Sequence, residues 1–191
     1  MTRSFRRISL SNPDPELVHE DMGAKSVSFF VHIWPVFVDL VLIDDMKQVS
    51  AERGNRNVRV CLHSGPDAPH HDMVILEHGG NYFPPHRHPG KAETFHVVEG
   101  ELGLVSYNEQ GEAVEAGIIR KGEVYRLAVE LYHLVTPMTD IVVYHEAKPG
   151  PFRGDKDLIL PDWRPDADDA DAISAFMKDA HALLREHGSA Q

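Results

Sequence analysis

The most constraining feature of this sequence is a succession of short β-rich runs between residues 58 and 144 that no long helical pattern interrupts. The runs are rich in valine, isoleucine and aromatic residues, and glycine, proline and polar turn residues such as those at 108–111 separate them. Runs this short at near-regular spacing favour antiparallel strands in a sandwich or barrel. With 191 residues, 42% of them apolar, the chain can bury one core without disulfides or structural metals.

Two amphipathic patterns flank this β-rich region and predict helices. Asp39 is suited to be the N-cap of a short helix whose apolar residues follow helical spacing until Gly54. Beyond residues 149–151, Asp168 is placed as the cap of a C-terminal amphipathic helix. We expect its apolar stripe to pack on the outside of the barrel or on a partner subunit. The stripe consists of Ile173, Phe176, Met177, Ala180, Leu183 and Leu184.

The N-terminal 25 residues are arginine-rich and polar, with Arg3, Arg6 and Arg7 near the start, and they predict a loosely ordered arm. The most apolar run of the chain, residues 27–43, follows it. His32, Pro35 and Asp39 interrupt this run, which would be costly in a helix of the minimal length that spans a lipid bilayer. It is interpreted as a buried strand ending near Pro35, and neither a membrane span nor a secretion signal is expected.

These patterns divide the chain into three parts. We predict an N-terminal arm, strand and helix at 1–57, a β-barrel at 58–150, and a C-terminal extension at 151–191 whose helix packs on the barrel.

Charge and cysteine content restrict the partners and the compartment. Nineteen Lys and Arg residues against 30 Asp and Glu give a net charge of −11, which repels nucleic acids and acidic membrane surfaces alike. Cys61 is the single cysteine, so the chain forms no internal disulfide and no thiolate metal cluster. We therefore expect a cytoplasmic protein with a small-molecule ligand, and neither a nucleic-acid nor a membrane partner.

Histidines are concentrated near the middle of the chain. Of the 13 in the sequence, seven fall between residues 63 and 96, where an even distribution would give roughly two. Imidazole binds metals and transfers protons near neutral pH, so this density indicates chemistry. The seven are His63, His70, His71, His78, His86, His88 and His96.

Spacing on a strand selects among these histidines. Residues two apart on a strand face the same side, so His86 and His88 would direct both imidazoles to one point. The turn formers at 89–92 let Glu93, at the start of the returning strand, bring a carboxylate to the same place. His96 faces the opposite side of that strand and is not expected to join them.

The spacing Gly80, five residues, His86-x-His88, four residues, Glu93, six residues, Gly100 reproduces the first cupin motif. The second motif is degenerate: Gly122 is followed one strand later by His133, but Lys121 replaces the usual proline and no asparagine stands at Pro137. The resemblance implies an all-β cupin fold, a double-stranded β-helix or jelly-roll barrel, together with the two flanking helices. It also implies the metal ligands His86, His88, Glu93 and His133.

One branch is especially similar, the WbuC-type cupin-fold metalloproteins associated with bacterial lipopolysaccharide gene clusters. The similarity extends over about residues 40–165, and it departs at Ala92, where that branch tends to have tryptophan, and in the additional N-terminal segment. The segments that carry it are 56–63, 81–88, 91–93 and 146–151.

Three imidazoles and one carboxylate would leave a six-coordinate divalent transition-metal ion with two open positions, and Fe, Mn, Ni, Zn and Cu all suit these donors. Two functions follow. The first is a metal-dependent enzyme acting on a small oxygenated or sugar-like substrate, by dioxygenase-type or by isomerase or epimerase chemistry. The second is a non-catalytic sugar-binding or small-ligand-binding cupin whose metal is structural or orients the ligand. Candidates for the substrate pocket are His63, Tyr82, Arg126 and Tyr132.

Cupin barrels often pair through an outer sheet, and residues 27–43 supply more apolar surface than one small barrel needs. We therefore expect a homodimer.

Overall fold

The computed structural model describes residues 4–24 and 26–188. Arg3 and Lys25 of the predicted arm, and residues 189–191 of the predicted C-terminal extension, lie outside the described residues.

The described residues are mostly β-structure between and around two α-helices. In chain order the elements are β1 (Val18–Asp21), β2 (Val27–Val31), α1 (Leu40–Glu52), β3 (Val58–Cys61), β4 (His70–His78), β5 (Thr94–Glu99), β6 (Glu101–Tyr107), β7 (Ala113–Arg120), β8 (Val124–Arg126), β9 (Tyr132–Pro137), β10 (Ile141–Pro149), a 3-10 helix (Gly154–Asp157) and α2 (Ala170–Gly188).

The strands form two sheets that face each other. One has the order β1-β2-β3-β4-β10-β5-β8 and the other the order β7-β6-β9. All pairs are antiparallel except β2 with β3. The apolar side chains between the sheets include Phe95, Leu102, Leu104 and Val142. This arrangement confirms the predicted all-β jelly-roll fold with an N-terminal and a C-terminal helix.

Strand alternation separates the barrel interior from its outer surface. On β6, Leu102 and Leu104 point into the barrel, whereas Val105 and Tyr107 pack outside it against residues of α2. The expected stripe of α2 forms this contact, with Ala180 and Leu184 buried. The register of each strand thus decides which side chains reach the interior.

The helix caps agree in part with the prediction. Asp39 caps α1 as expected, because its Oδ1 accepts a hydrogen bond from Leu42 N at 3.1 Å. Asp168 was expected to cap α2, but the carboxylate of Asp169 accepts from Ala172 N at 2.9 Å. The prediction was wrong by one residue, because Asp168 and Asp169 are adjacent and both satisfy the local pattern, and only geometry selects the acceptor.

The described part of the N-terminal arm is ordered, which corrects the sequence prediction. Ile8 and Leu10 are buried against α1 and the outer face of the larger sheet, and Val18 begins a strand that pairs with β2. That strand, β2, ends at Val31, before Pro35. The arm is ordered because its few apolar residues are buried in the cluster formed with α1 and the larger sheet. The polar composition of the segment does not indicate this burial.

One carboxylate fixes this arm to α1. The Oδ2 atom of Asp45 accepts hydrogen bonds from Leu10 N at 2.5 Å and from Ser9 Oγ at 3.1 Å, and Oδ1 accepts from Ser11 N at 3.2 Å. Burial by itself would raise the pKa of Asp45, but these hydrogen bonds outweigh it and hold the pKa below the ordinary 3.8.

We expect Asp45→Asn to lower the free energy of unfolding by about 1–2 kcal/mol near pH 7, since a charged acceptor of three hydrogen bonds is lost. Because the folded pKa lies below the unfolded one, this contribution is present above pH 3.8 and disappears as the pH falls through the folded pKa. Urea unfolding of both proteins between pH 7 and pH 3 measures the difference. Asp44→Asn is the matched control, since the Asp44 side chain is 78% exposed, and an equal loss in both variants would contradict the assignment.

No helix among residues 4–24 and 26–188 combines the length and the apolar character that crossing a lipid bilayer requires.

Candidate metal centre

The two histidines of the His86-x-His88 pair lie in a short extended segment before β5. His86 forms a backbone bridge with His133 of β9: its N–H donates to His133 O at 3.1 Å, and His133 N–H donates to His86 O at 2.8 Å. The two imidazole centroids are 4.3 Å apart. Arg87 projects to the other side, over the ring of Tyr132. Side chains in this segment therefore alternate between the two sides as predicted, although residues 86–88 lie outside the regular strands.

The loop after this pair returns the chain to the same point. Gly90 adopts φ +65°, a conformation that side chains disfavour, and the turn delivers Glu93 directly ahead of β5. Leu127 N donates to Glu93 O at 2.9 Å and fixes the backbone at this position. Gly100 then makes the tight turn into β6, where a Cβ would meet Ile141 O at 2.5 Å.

Four side chains converge at this end of the barrel. His86, His88, Glu93 and His133 each place one potential ligand atom within 4.8 Å of the others, and all four residues are buried. The two carboxylate oxygens of Glu93 divide between the histidines: Oε1 lies 3.1 Å from His88 Nε2 and Oε2 lies 2.9 Å from His133 Nε2. The structure thus brings together the four residues that the sequence motif selects.

Each of the three imidazoles has its Nδ1 next to a backbone carbonyl. Nδ1 of His86 lies 3.1 Å from Pro84 O, that of His88 lies 2.6 Å from Asp157 O, and that of His133 lies 3.3 Å from Leu131 O. Since a carbonyl only accepts, these partners assign the proton to Nδ1 and leave an electron pair on Nε2.

The Nε2 atoms of His88 and His133 are buried and have no hydrogen-bond partner. In this tautomer their electron pairs face the oxygens of the Glu93 carboxylate, an arrangement that is repulsive unless a cation lies among them. Metal-binding histidines usually donate their second nitrogen to a carbonyl or carboxylate in this way. The donor set and the orphaned nitrogens therefore fit a divalent transition-metal ion.

The electrostatics of the cluster favour the ligand forms of these side chains. Burial, reinforced by the neighbouring His133 and His88, holds the pKa of His86 well below its ordinary value, so that imidazole is neutral. Burial alone would raise the pKa of Glu93, but the Lys148 ammonium beside it holds that pKa well below its ordinary range. Glu93 is therefore a carboxylate.

Lys148 is the member of this site that sequence reasoning missed. Its Nζ donates to Glu93 Oε1 at 2.8 Å and lies 3.0 Å from Glu146 Oε1. Burial alone would lower the pKa of Lys148, but the two carboxylates raise it. The available signal was the spacing Glu146-x-Lys148, which places both charges on one face of β10.

The segment after β10 covers the cluster. Ile159 and Arg87 exchange two backbone hydrogen bonds of 3.0 Å, and Asp157 contributes the carbonyl that faces His88. The carboxylate of Asp157 pairs with Lys91 Nζ at 2.8 Å. A small cavity lies between this segment and the cluster, lined by His71, His88, Lys91, Lys148, Pro149, Pro151, Phe152 and Asp157.

The four predicted pocket residues do not join the cluster. His63 is buried with its ring stacked on His71 at 4.1 Å, and Tyr82 packs edge-on against Phe176 of α2. Arg126 binds the hydroxyl of Thr94 at 3.2 Å. Tyr132 lies on the outer face of β9, because alternation directs its neighbour His133 inward.

Residues 38–119 match a protein family described as a domain of unknown function, DUF6016. The match includes His86, His88 and Glu93 but ends before His133. No curated protein matches the chain at a significant level.

Several solved structures resemble part of the chain, and one of them is described as a cupin domain. CapF with the inhibitor 3-isopropenyl-tropolone matches with a TM-score of 0.46 and 20% identity, over 54% of this chain and 31% of its own. The Lactobacillus farciminis oxalate decarboxylase in its formate complex gives 0.40 and 17%, over 48% and 26%. The Schizosaccharomyces pombe Cnp3 cupin domain gives 0.41 and 11%, over 49% and 60%. The chain thus spans under a third of the CapF and decarboxylase chains, and similarity at this level says nothing about activity.

We expect Lys148→Met to destabilise the metal-free protein by about 3 kcal/mol, because the buried Glu93 carboxylate loses its counter-charge. Chemical unfolding in the presence of a chelator measures this loss. Lys121→Met, at an exposed turn position, should change the free energy of unfolding by less than about 0.5 kcal/mol. Equal stability of the Lys148→Met and Lys121→Met variants would show that Glu93 does not depend on Lys148.

Proposed function

We propose that His86, His88, Glu93 and His133 bind one divalent transition-metal ion and that the chain is a metal-dependent cupin enzyme acting on a small oxygenated or sugar-like substrate. The observation that carries the proposal is the orientation of the imidazoles. Three Nδ1 atoms face backbone carbonyls, so that the Nε2 atoms and the Glu93 carboxylate converge on one point. A bound ion would remove the repulsion between those electron pairs and the carboxylate.

Nitrogen-rich ligation with one carboxylate suits Fe, Mn, Ni, Zn or Cu. When bound, the ion would supply Lewis-acid polarisation of a carbonyl or hydroxyl, or redox chemistry with dioxygen. The protein's own residues position the ligands: Lys148 restrains Glu93 through Oε1, and the carbonyl of Asp157 orients His88. Residues 150–159 cover one side of the cluster, whose four side chains are buried.

The second candidate is a non-catalytic cupin that binds a sugar or another small ligand, with a metal that is structural or orients the ligand. The burial of all four candidate ligands favours it, as does the small size of the cavity beside His88. A structural metal needs no open coordination position, whereas a catalytic one does.

Protein purified without an affinity-tag metal should contain about one equivalent of transition metal per chain, measured by elemental analysis. The double variant His86→Ala with His88→Ala should lose it, because half of the donor set is gone. His96→Ala is the control, since His96 pairs with His145 on the neighbouring strand and lies outside the cluster.

The conservative variant Glu93→Gln, checked by circular dichroism, covers the case in which the double variant does not fold. It should reduce metal affinity by about tenfold or more. Full metal content in folded Glu93→Gln and in the double variant would refute the assignment of the site.

Turnover separates the two functions. Oxygen uptake by the Fe(II)-loaded protein with small diols or catechols would support dioxygenase-type chemistry, and anaerobic conversion of sugar phosphates or nucleotide sugars would support isomerase or epimerase chemistry. The enzyme proposal predicts that one of these signals appears and that Glu93→Gln abolishes it. Ligand binding without either signal would establish the non-catalytic function instead.

A finer assignment to the WbuC-type branch, and with it to lipopolysaccharide biosynthesis, is also a proposal. Its support is spatial: the segments that carry the resemblance contain His86, His88, Glu93 and Lys148, which meet at one centre. The three-part division of the chain, the cytoplasmic location and the homodimer stay predictions.

A further inference from the structure

The candidate metal centre is closed to solvent. The four potential ligands, His86, His88, Glu93 and His133, are between 1% and 8% exposed. The cavity beside His88 has a volume of about 10 Å³, which is the lower limit for a single water molecule. A hydrated metal ion is larger than one water molecule, and so is any organic ligand. Neither can reach the cluster unless part of the chain moves aside.

The segment that covers the cluster is anchored at both of its ends. Gly150 N and Phe152 N donate to backbone carbonyls of the loop at 66–69, at 2.9 and 2.7 Å. At the other end, Trp163 packs into the apolar cluster between α2 and the smaller sheet. Residues 153–160 lie between these two anchors, and we call them the lid.

Polar contacts with one short stretch of the chain hold the lid on the barrel. The Oδ1 atom of Asp157 accepts from Lys91 Nζ at 2.8 Å, and the carbonyl of Asp157 accepts from His88 Nδ1 at 2.6 Å. Arg87 and Ile159 exchange two backbone hydrogen bonds of 3.0 Å. All four bonds go to the stretch that contains the His-x-His pair. The lid and the metal ligands are therefore in direct contact.

Few apolar contacts add to these bonds. None of the lid residues whose side chains the structure describes belongs to the apolar clusters of the core. Ile159 and Leu160 are 36% and 38% exposed. By contrast, β5 and β10, which also enclose the cluster, are hydrogen-bonded to a strand on each side. A segment with few buried apolar contacts opens at a lower free energy than strands of this kind. The lid is therefore the least costly way into the site.

We propose that residues 153–160 open as a lid to admit a metal ion or a small ligand to the cluster, and that the Lys91–Asp157 ion pair holds this lid closed. Lys91 Nζ also donates to Pro151 O at 2.6 Å, so one ammonium connects the lid with the anchored part of the cover. Because the carbonyl of Asp157 faces His88 Nδ1, opening also releases the ring of a metal ligand. The inference rests on the proposed metal centre and adds its route of access.

A reversible disulfide can hold the lid closed. Arg87 and Ile159 form a hydrogen-bonded antiparallel pair, and the Cα atoms of such pairs are about 5.5 Å apart, within the span of a disulfide. In the double variant Arg87→Cys with Ile159→Cys, loaded with Zn(II), the oxidised form should release the metal to a chromogenic chelator about tenfold more slowly than the reduced form. Loss of two free thiols verifies the bond. The unmodified protein, with and without the same reductant, is the control, since its single cysteine, Cys61, is buried.

Lys91→Met tests the ion pair. The substitution leaves the carboxylate of Asp157, which is 7% exposed, without its counter-charge. Release of Zn(II) to the chelator should become about tenfold faster, because a hydrogen-bonded charge pair between lid and barrel is lost. Lys156→Met is the matched control, since Lys156 lies in the lid but is exposed, and it should leave the rate unchanged.

Hydrogen exchange tests the lid without any metal. In the metal-free protein, NMR should show that the Ile159 amide, which donates to Arg87 O, exchanges about tenfold faster than the His133 amide, which donates to His86 O, after correction for intrinsic rates. Lys91→Met should accelerate exchange at Ile159 and leave exchange at His133 unchanged.

Three results would overturn the inference: equal exchange of the Ile159 and His133 amides, a Lys91→Met variant that behaves like Lys156→Met, or a verified disulfide that leaves the release of Zn(II) unchanged. The two kinds of measurement separate this inference from the proposed function. Local exchange at Ile159 in a protein that binds no metal refutes the metal centre and keeps the mobile lid. Bound metal that all variants release at the same rate keeps the metal centre and refutes the lid.

Discussion

The buried carboxylate of Glu93 is the constraint on which the rest of the site depends. At 2% exposure, a charged group is tolerated only if opposite charge and donors surround it. Lys148 from β10 supplies the opposite charge and donates to Glu93 Oε1. His133 from β9 and His88 from the segment before β5 place their Nε2 atoms 2.9 and 3.1 Å from the carboxylate oxygens, and a bound cation would remove the repulsion between them. The ring of His88 in turn faces the carbonyl of Asp157. One charge thereby connects three parts of the barrel with the segment that covers it.

Different parts of the chain enclose the cluster on its two sides. Residues 150–159 cover the cluster on one side, where backbone bonds between Arg87 and Ile159 hold the cover in place. On the other side, β7 and β8 do not pair with each other in the described residues, and Glu115, on the inward-facing side of β7, is exposed. Ser106 and His133 lie behind these two edges and are each 1% exposed, so the cluster is enclosed on this side as well.

Most of the fold could be predicted because strand and helix periodicity are local properties. The apolar runs predicted the strands of the barrel. The apolar stripe of α2 predicted which face of the helix packs against the barrel. The sequence prediction was wrong where two neighbouring residues suit the same structural role. It was also wrong where a segment is ordered by residues far away in the chain. Asp168 and Asp169 both suit a cap, and only the backbone geometry selects Asp169. The polar arm is ordered because Leu10 and Asp45 meet, 35 residues apart.

The sequence by itself determined the all-β class and placed His86, His88 and Glu93 together, because two-residue alternation and one short turn suffice for that. His133 required the likeness to a known fold, since its neighbour across the barrel is 47 positions away in the chain. Tertiary structure alone decided that Lys148 neutralises Glu93, that Asp157 orients His88, that Tyr132 faces outward, and that β7 and β8 do not pair with each other. These depend on which distant strands pair and where pairing ends, and no local pattern records that.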